Sequence, residues 1–139
     1  MKKLYLAGPL FTLAERLFNR SLAEGLRSYG HEVWLPQENE PREKTGKAVF
    51  EKDVEGIDWA DVVVANLDGP DPDSGTCWEA GSVHRRKPVI VFRTDIRAAD
   101  EPGLAPCNLM LWESATARIL GTKTLAGLVR AIDEAIRML

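Results

Sequence analysis

An α/β fold with a parallel sheet covered on both faces is predicted by two observations. Short apolar runs alternate along the chain with stretches whose apolar residues recur at helical spacing. The 139 residues suffice for one core, so 1–139 reads as a single domain.

Each element carries its own signal. "LYLAG" (4–8) reads as a short buried strand. From Thr12 to Tyr29, the residues Leu13, Leu17, Leu22, Leu26 and Tyr29 recur at helical spacing, and Gly30 supplies a stop. "HEVWLP" (31–36) is a second strand ended by Pro36, and the polar loop "QENEPREKTG" follows. Residues 47–59 predict a helix with Val49, Phe50, Val54 and Ile57 as its apolar positions. "DVVVANLD" (61–68) gives the clearest strand signal of the chain. A helix is expected from near Thr76 to near Arg86, and "PVIVFRT" (88–94) is a fourth strand. A two-proline loop then leads to "NLMLW" (108–112), read as a short fifth strand, and a last helix covers 122–138. Four or five strands in a chain of this size predict a flavodoxin-like, doubly wound, mainly parallel five-stranded sheet of order 2-1-3-4-5, with helices on both faces.

Composition narrows the function classes. The hydrophobic and charged fractions, 45% and 28%, are those of an ordinary globular protein. The net charge is −3 and no long basic run occurs, which argues against nucleic acid or an anionic membrane as partner. No apolar stretch approaches the roughly 20 residues that span a bilayer. The apolar part of "MKKLYLAGPLF" is too short for a signal peptide and runs into an amphipathic helix, so it reads as a strand. Cys77 and Cys107 form no pattern, which favours a reducing cytoplasm. His31 and His84 stand alone, so neither a metal nor a cofactor is expected.

The unusual stretch is "LDGPDPDSGTCWEAG", which sets Asp68, Asp71, Asp73 and Glu79 directly after the best strand. In doubly wound sheets ligands bind beyond the carboxyl ends of the strands, at the switch point between the first and third. The acids therefore face the Gly8-Pro9 turn. Pro9 has no N–H, and Leu10 and Phe11 follow, an edge suited to a flat uncharged ring. A phosphate would prefer glycines, amide N–H groups and a lysine.

Each acid has two readings. Glu79 lies three residues after Thr76, the spacing of a capping box, or it is catalytic. Asp73 either favours the same helix N-terminus or works in the site. Asp68 and Asp71 read as turn residues beside Gly69, Pro70 and Pro72. Asp53 falls inside the apolar arc of Val49, Phe50, Val54 and Ile57, where a carboxylate is costly unless paired or used. Tyr5 sits in a buried strand, where its hydroxyl needs a partner. Cys77 and Cys107 read as small buried hydrophobes, and Arg85-Arg86-Lys87 as a solvated helix end.

"YLAGPLF", "DVEGIDWADVVVANLDG", "DSGTCWEAG", "KPVIVFRTD" and "NLML" together resemble the nucleoside 2-deoxyribosyltransferases, in order from Leu4 to Trp112. The superfamily also holds nucleoside 5'-monophosphate N-glycosidases. The resemblance implies that Glu79 is the nucleophile, that Asp53 and Asp73 are supporting carboxylates, and that Tyr5 orients Glu79. It implies that Asn108 reaches the sugar end of a neighbouring subunit's site, making the active unit a homo-oligomer, a dimer or a hexamer. Gly8, Pro9, Phe11, Ser74 and Asn108 are then the substrate-binding candidates. "LPQEN" resembles a segment shaping the pocket near the base. The implied substrates are a deoxynucleoside and a free nucleobase.

The chemistry suits these residue types. A 2-deoxyribosyl C–N bond breaks through an oxocarbenium-like transition state, and a carboxylate under the anomeric carbon stabilises it and forms an ester. The departing base needs a proton, which a carboxylic acid of raised pKa supplies. Asp73, on the crevice loop, is favoured over Asp53 as that donor, with Asp53 holding the sugar. Rival readings are a nucleotide N-glycosidase, with Ser74, Thr12 and Arg93 as phosphate ligands, and a non-catalytic nucleoside-binding module with Glu79 as a cap. A response-regulator-like domain would need an acid after the first strand, which "AGPLF" lacks.

Overall fold

The computed structural model describes residues 1–97 and 103–139. Strands β1 (Lys3–Ala7), β2 (Glu32–Trp34), β3 (Val62–Asn66), β4 (Val89–Arg93) and β5 (Ala117–Leu120) form one sheet of order β2-β1-β3-β4-β5. Every pairing is parallel. The helices are α1 (Leu13–Ser28), α2 (Gly46–Trp59), α3 (Ser74–Ser82), α4 (Leu109–Ser114) and α5 (Leu125–Arg137). The order and direction of the strands are those expected.

Alternation along the strands decides which side chains meet which helices. In β1, Leu4 and Leu6 join Leu22, Leu26, Leu128 and Ile132 from α1 and α5. Tyr5 and Ala7 face the other way, packing with Ile57 of α2, Ala80 and the flanking Val83 of α3, and Cys107. The central strands β1, β3 and β4 are almost wholly buried, so they read as unbroken apolar runs.

The α1 pattern is broader than its buried face. Leu22, Ala23 and Leu26 are buried, whereas Leu13 and Leu17 are exposed near its N-terminus. Helix α2 seats closely on β2 because Gly56 has no side chain. A Cβ there would meet Trp34 Nε1 at 2.4 Å. Lys87 holds the same helix at its other edge: its Nζ donates to the carbonyls of Ile57, Asp58 and Ala60 at 2.7–2.8 Å. The basic run after α3 thus caps α2, where carbonyls lack partners and the dipole is negative.

"NLMLW" is not the fifth strand. Asn108 Oδ1 accepts from Met110 N and Leu111 N at 3.1 and 3.3 Å and starts α4. The fifth strand is "ARIL", at the sheet edge, with only Ile119 buried. Helix α3 starts earlier than expected, at Ser74, because Asp73 is its N-cap. Of the two-proline loop after β4, residues 98–102 lie outside the described residues. Among the described residues no helix is long and apolar enough to cross a membrane.

Candidate active site

The site grows from a contact between β1 and α3. Tyr5 is fully buried, and its hydroxyl donates to Glu79 Oε1 at 2.6 Å. Burial, then the charge of Glu79, raises the Tyr5 pKa far above the usual phenol value, so Tyr5 stays protonated and donates. Burial pushes the Glu79 carboxyl up to about 7. The charges of Asp53 and Asp73 act in the same direction, while the Tyr5 hydrogen bond opposes them. Glu79 Oε2 makes no hydrogen bond to the described residues.

The capping box, one of the two readings of Glu79, does not form with Thr76. Thr76 donates both its N–H (2.9 Å) and its hydroxyl (3.1 Å) to Asp73 Oδ2. The helix is capped without Glu79, which is turned to the sheet. Asp73 takes the first of its two readings, as the N-cap of α3, and its charge also acts on Glu79. Asp53 differs. It is partly buried on α2 and makes no hydrogen bond to the described residues, and burial raises its pKa. Burial, then the charges of Asp71 and Asp73, raises the Cys77 thiol pKa.

Asp53 also lines a cavity of about 180 Å³ together with Leu10, Pro36, Gln37, Asn39 and Val49. Its polar edges are fixed from outside. Gln37 Nε2 donates to Arg16 O (2.9 Å), and Asn39 Nδ2 donates to Leu35 O (2.9 Å). Glu40, paired with Arg16 and Lys44, borders the mouth. An apolar slot with a few fixed polar groups suits a flat heterocycle.

Asp53, Asp73, Glu79 and Tyr5 come together as one electrostatic unit. The expected substrate-binding residues do not all join it. Gly8 abuts Asn66, and Pro9 O accepts from Asn19 Nδ2 at 2.9 Å. Phe11 is 76% exposed, and it is Leu10 that lines the cavity. Ser74 is exposed at the first turn of α3, and Asn108 is exposed as the cap of α4. Two of the phosphate ligands weighed from sequence are engaged elsewhere. Thr12 caps α1, and Arg93, 1% exposed, donates to the carbonyls of Leu67 and Gly69. Gln37 and Asn39 are cavity residues that the sequence left without a role; the single clue was their place in "LPQEN". Among the described residues no group of acids, histidines and cysteines is arranged to hold a metal ion.

Solved structures share this architecture. A conserved protein from Enterococcus faecalis V583 superposes with a TM-score of 0.77 at 28% identity, covering 100% of this chain and 99% of that one. A 2-deoxyribosyltransferase from Bacillus psychrosaccharolyticus does so with 0.72 at 30% identity, over 91% and 90% of the two chains. The CMP N-glycosidase BcmB of Clostridium botulinum, 18% identical, shares the fold with a TM-score of 0.66 over 96% and 99%. No curated protein matches the sequence. The sequence model of the nucleoside 2-deoxyribosyltransferases matches residues 4–110, a span that includes Tyr5, Asp53, Asp73, Glu79 and Asn108, and the chain therefore belongs to that family.

Proposed function

We propose that this protein moves 2-deoxyribose from one nucleobase to another through a covalent deoxyribosyl-Glu79 ester, with retention of configuration. The observation that carries the reading is the Tyr5–Glu79 hydrogen bond within electrostatic reach of Asp53, which lines the cavity. One oxygen of the carboxylate is fixed, and the other is free to attack.

In the first step Glu79 Oε2 bonds to C1' of the sugar. The C1'–N bond breaks, and its electron pair stays on the base nitrogen, which takes a proton from Asp53. In the second step a nitrogen of the incoming base bonds to C1' and the ester bond breaks. Glu79 is released as a carboxylate, and the proton of the new base returns to Asp53. The positive charge developing on the sugar is stabilised by the surrounding carboxylates.

Asp53 takes the proton-donor role that the sequence favoured for Asp73. Two features support the exchange: Asp73 Oδ2 already accepts two hydrogen bonds at the α3 cap, whereas Asp53 is unengaged and lines the cavity. Asp73 is left to hold the sugar end and to tune Glu79. In the free protein burial raises the carboxyl pKa of both Asp53 and Glu79, and Glu79 reaches about 7. A bound base whose ring nitrogen accepts from Asp53 draws the pair's proton there and leaves Glu79 ionised.

The engagement of Thr12 and Arg93 supports a substrate without a 5'-phosphate, and hence transfer between nucleosides over nucleotide hydrolysis. The site is further proposed to be shared between subunits, with Asn108 reaching the neighbour's sugar. Phe50 on α2, Trp78 on α3 and Met110 on α4 are large apolar residues left exposed, which agrees with a covered face.

The test is incubation with 2'-deoxyinosine and free adenine, followed by chromatography and by mass analysis of the Glu79 peptide. Deoxyadenosine with equimolar hypoxanthine, and a deoxyribosyl adduct on Glu79, are expected. Free sugar with no deoxyadenosine would mean hydrolysis instead.

A further inference from the structure

The segment "RTDIR", from the last residue of β4 onward, has no part in the chemistry above, yet it is tied to the end of β3 by a set of side-chain hydrogen bonds. Asp68, expected to be a simple turn residue, accepts from Thr94 N, from the Thr94 hydroxyl (2.6 Å) and from Asp95 N (2.8 Å). Asp95 Oδ2 accepts in return from Gly69 N at 3.2 Å. Arg93 reaches beneath the same turn, and its Nη1 donates to Leu67 O and to Gly69 O (2.9 Å). Three consecutive residues, 67–69, are thereby gripped from the neighbouring strand.

The grip lies one short lever from the chemistry. Gly69 turns the chain at φ +112°, and Pro70-Asp71-Pro72 then leads to Asp73. Two prolines remove most of the backbone freedom of that lever. Its far end is fixed by the Asp73–Thr76 cap and by the Cys77 thiol on Pro72 O. A buried guanidinium is a costly way to hold two carbonyls that a neutral donor would satisfy.

We infer that Asp68 and Arg93 are positioning residues, a clamp between the ends of β3 and β4 that sets the Asp73 carboxylate against Glu79. The inference rests on the reading of Glu79 as nucleophile, but its test does not depend on turnover. The groups that face Glu79 are Tyr5 on β1, Asp53 on α2 and Asp73 at the α3 cap. Asp73 is held from both sides, by Thr76 and, through Pro70-Asp71-Pro72, by the clamp; loosening the clamp leaves Tyr5 and Asp53 in place, frays the α3 cap and lets Asp73 recede. Water then reaches Glu79 and a like charge is lost, so its ionisation moves down.

The experiment compares wild type, Asp68→Ala, Asp68→Asn and Arg93→Lys. It measures the Glu79 carboxyl titration by carbon NMR of Glu-labelled protein, together with transfer kinetics and thermal melting. In Asp68→Ala the Glu79 titration is expected to fall from about 7, and kcat to drop by roughly 10–100-fold, as for a substrate-positioning group displaced by about an ångström. KM for the free base should stay within about twofold, since the base cavity is untouched. Asp68→Asn keeps an acceptor for the backbone N–H groups and should recover part of both effects. Where Asp68→Ala does not fold, Arg93→Lys reports in its place, because the shorter lysine side chain sets its ammonium back from the Leu67 and Gly69 carbonyls that Arg93 Nη1 reaches. A lowered melting temperature with unchanged Glu79 titration and unchanged kcat would overturn the inference. If wild type shows neither transfer nor a Glu79 adduct, the nucleophile reading fails, and the titration alone still decides for or against the clamp.

Discussion

Tyr5 and Glu79 are 74 positions apart in the chain and 2.6 Å apart in the fold. Their meeting follows from two periodicities. The alternation of β1 turns Tyr5 away from Leu4 and Leu6 toward α3, and the Asp73 cap starts α3 in the phase that turns Glu79 to the sheet. Removal of the hydroxyl in Tyr5→Phe leaves the ring packed and frees Oε1. The lost hydrogen bond had favoured the ionised carboxylate, so Glu79 should titrate higher than in wild type. Transfer should slow by about 10-fold or more. NMR titration and steady-state kinetics of the variant check both.

A second consequence concerns stability. The folded pKa of Glu79 is about 7 against an ordinary 4.5, so between these values the native state binds more protons than the unfolded one. Stability contributed by this group is therefore full below about pH 4.5 and lost as pH rises through about 7. Glu79→Gln keeps an acceptor for Tyr5 and removes the charge. It should be inactive, yet more stable than wild type at pH 8, by at most about 3 kcal/mol at 1.36 kcal/mol per unit. Denaturant melts of both proteins at pH 5 and pH 8 test this, and a Glu79→Gln protein no more stable at pH 8 would contradict it.

The pH dependence of activity has an unobvious sign. The proposed mechanism needs Glu79 ionised and Asp53 protonated, one proton on the pair. Above about 7 the pair holds none, so kcat/KM for a natural deoxynucleoside should fall with rising pH through about 7. Asp53→Asn should be poor with natural substrates, and nearly restored with a deoxyriboside whose leaving group needs no proton. With that substrate the limb inverts, and activity rises with pH as Glu79 ionises. If Asp73→Asn shows this inversion and Asp53→Asn does not, Asp73 is the donor.

Much of the fold around the candidate site was legible in the sequence, for physical reasons that differ by residue. Strands buried on both faces wrote themselves as "LYLA", "VVVAN" and "VIVF", which placed the acid-rich loop at the switch point. Asp53 was conspicuous because it interrupts an apolar arc. The edge strand "ARIL" was illegible, since only Ile119 of its residues is buried. "NLMLW" was misread because five apolar-rich residues do not reveal their period, and the decisive signal was the Asn108 cap. Asp68 looked like any turn aspartate. Its grip on Thr94 and Asp95 spans 26 and 27 residues, which no local pattern encodes.

The sugar should be selected from below. In the proposed reaction Glu79 Oε2 is committed to C1' and Tyr5 already donates to Oε1, which leaves a 2'-hydroxyl on that side of the ring no partner. Ribonucleosides should be poorer donors than 2'-deoxynucleosides by roughly 10²-fold, the scale of a steric fit. Parallel assays with adenosine and 2'-deoxyadenosine decide it, and equal rates would remove the deoxy-specific assignment.

The last prediction separates a shared site from a self-contained one. Asn108 is exposed, and its Oδ1 is engaged by the α4 amides, which leaves its Nδ2 for another group. Asn108→Ala would lose the cap as well, about 0.5–2 kcal/mol, so Asn108→Ser is the cleaner variant: it keeps a capping oxygen and loses the amide donor. If Asn108 serves the neighbour, Asn108→Ser and Glu79→Ala chains are each inactive alone. Mixed and reassembled, they form dimers in which one of the two sites joins an intact Glu79 to a partner's intact Asn108. For equal amounts in a two-fold dimer, about one quarter of all sites are whole. Activity near that level after proven subunit exchange supports the shared site. Exchange without recovery means that Asn108 acts in its own chain or only holds α4, and Phe50, Trp78 and Met110 then need another explanation for their exposure.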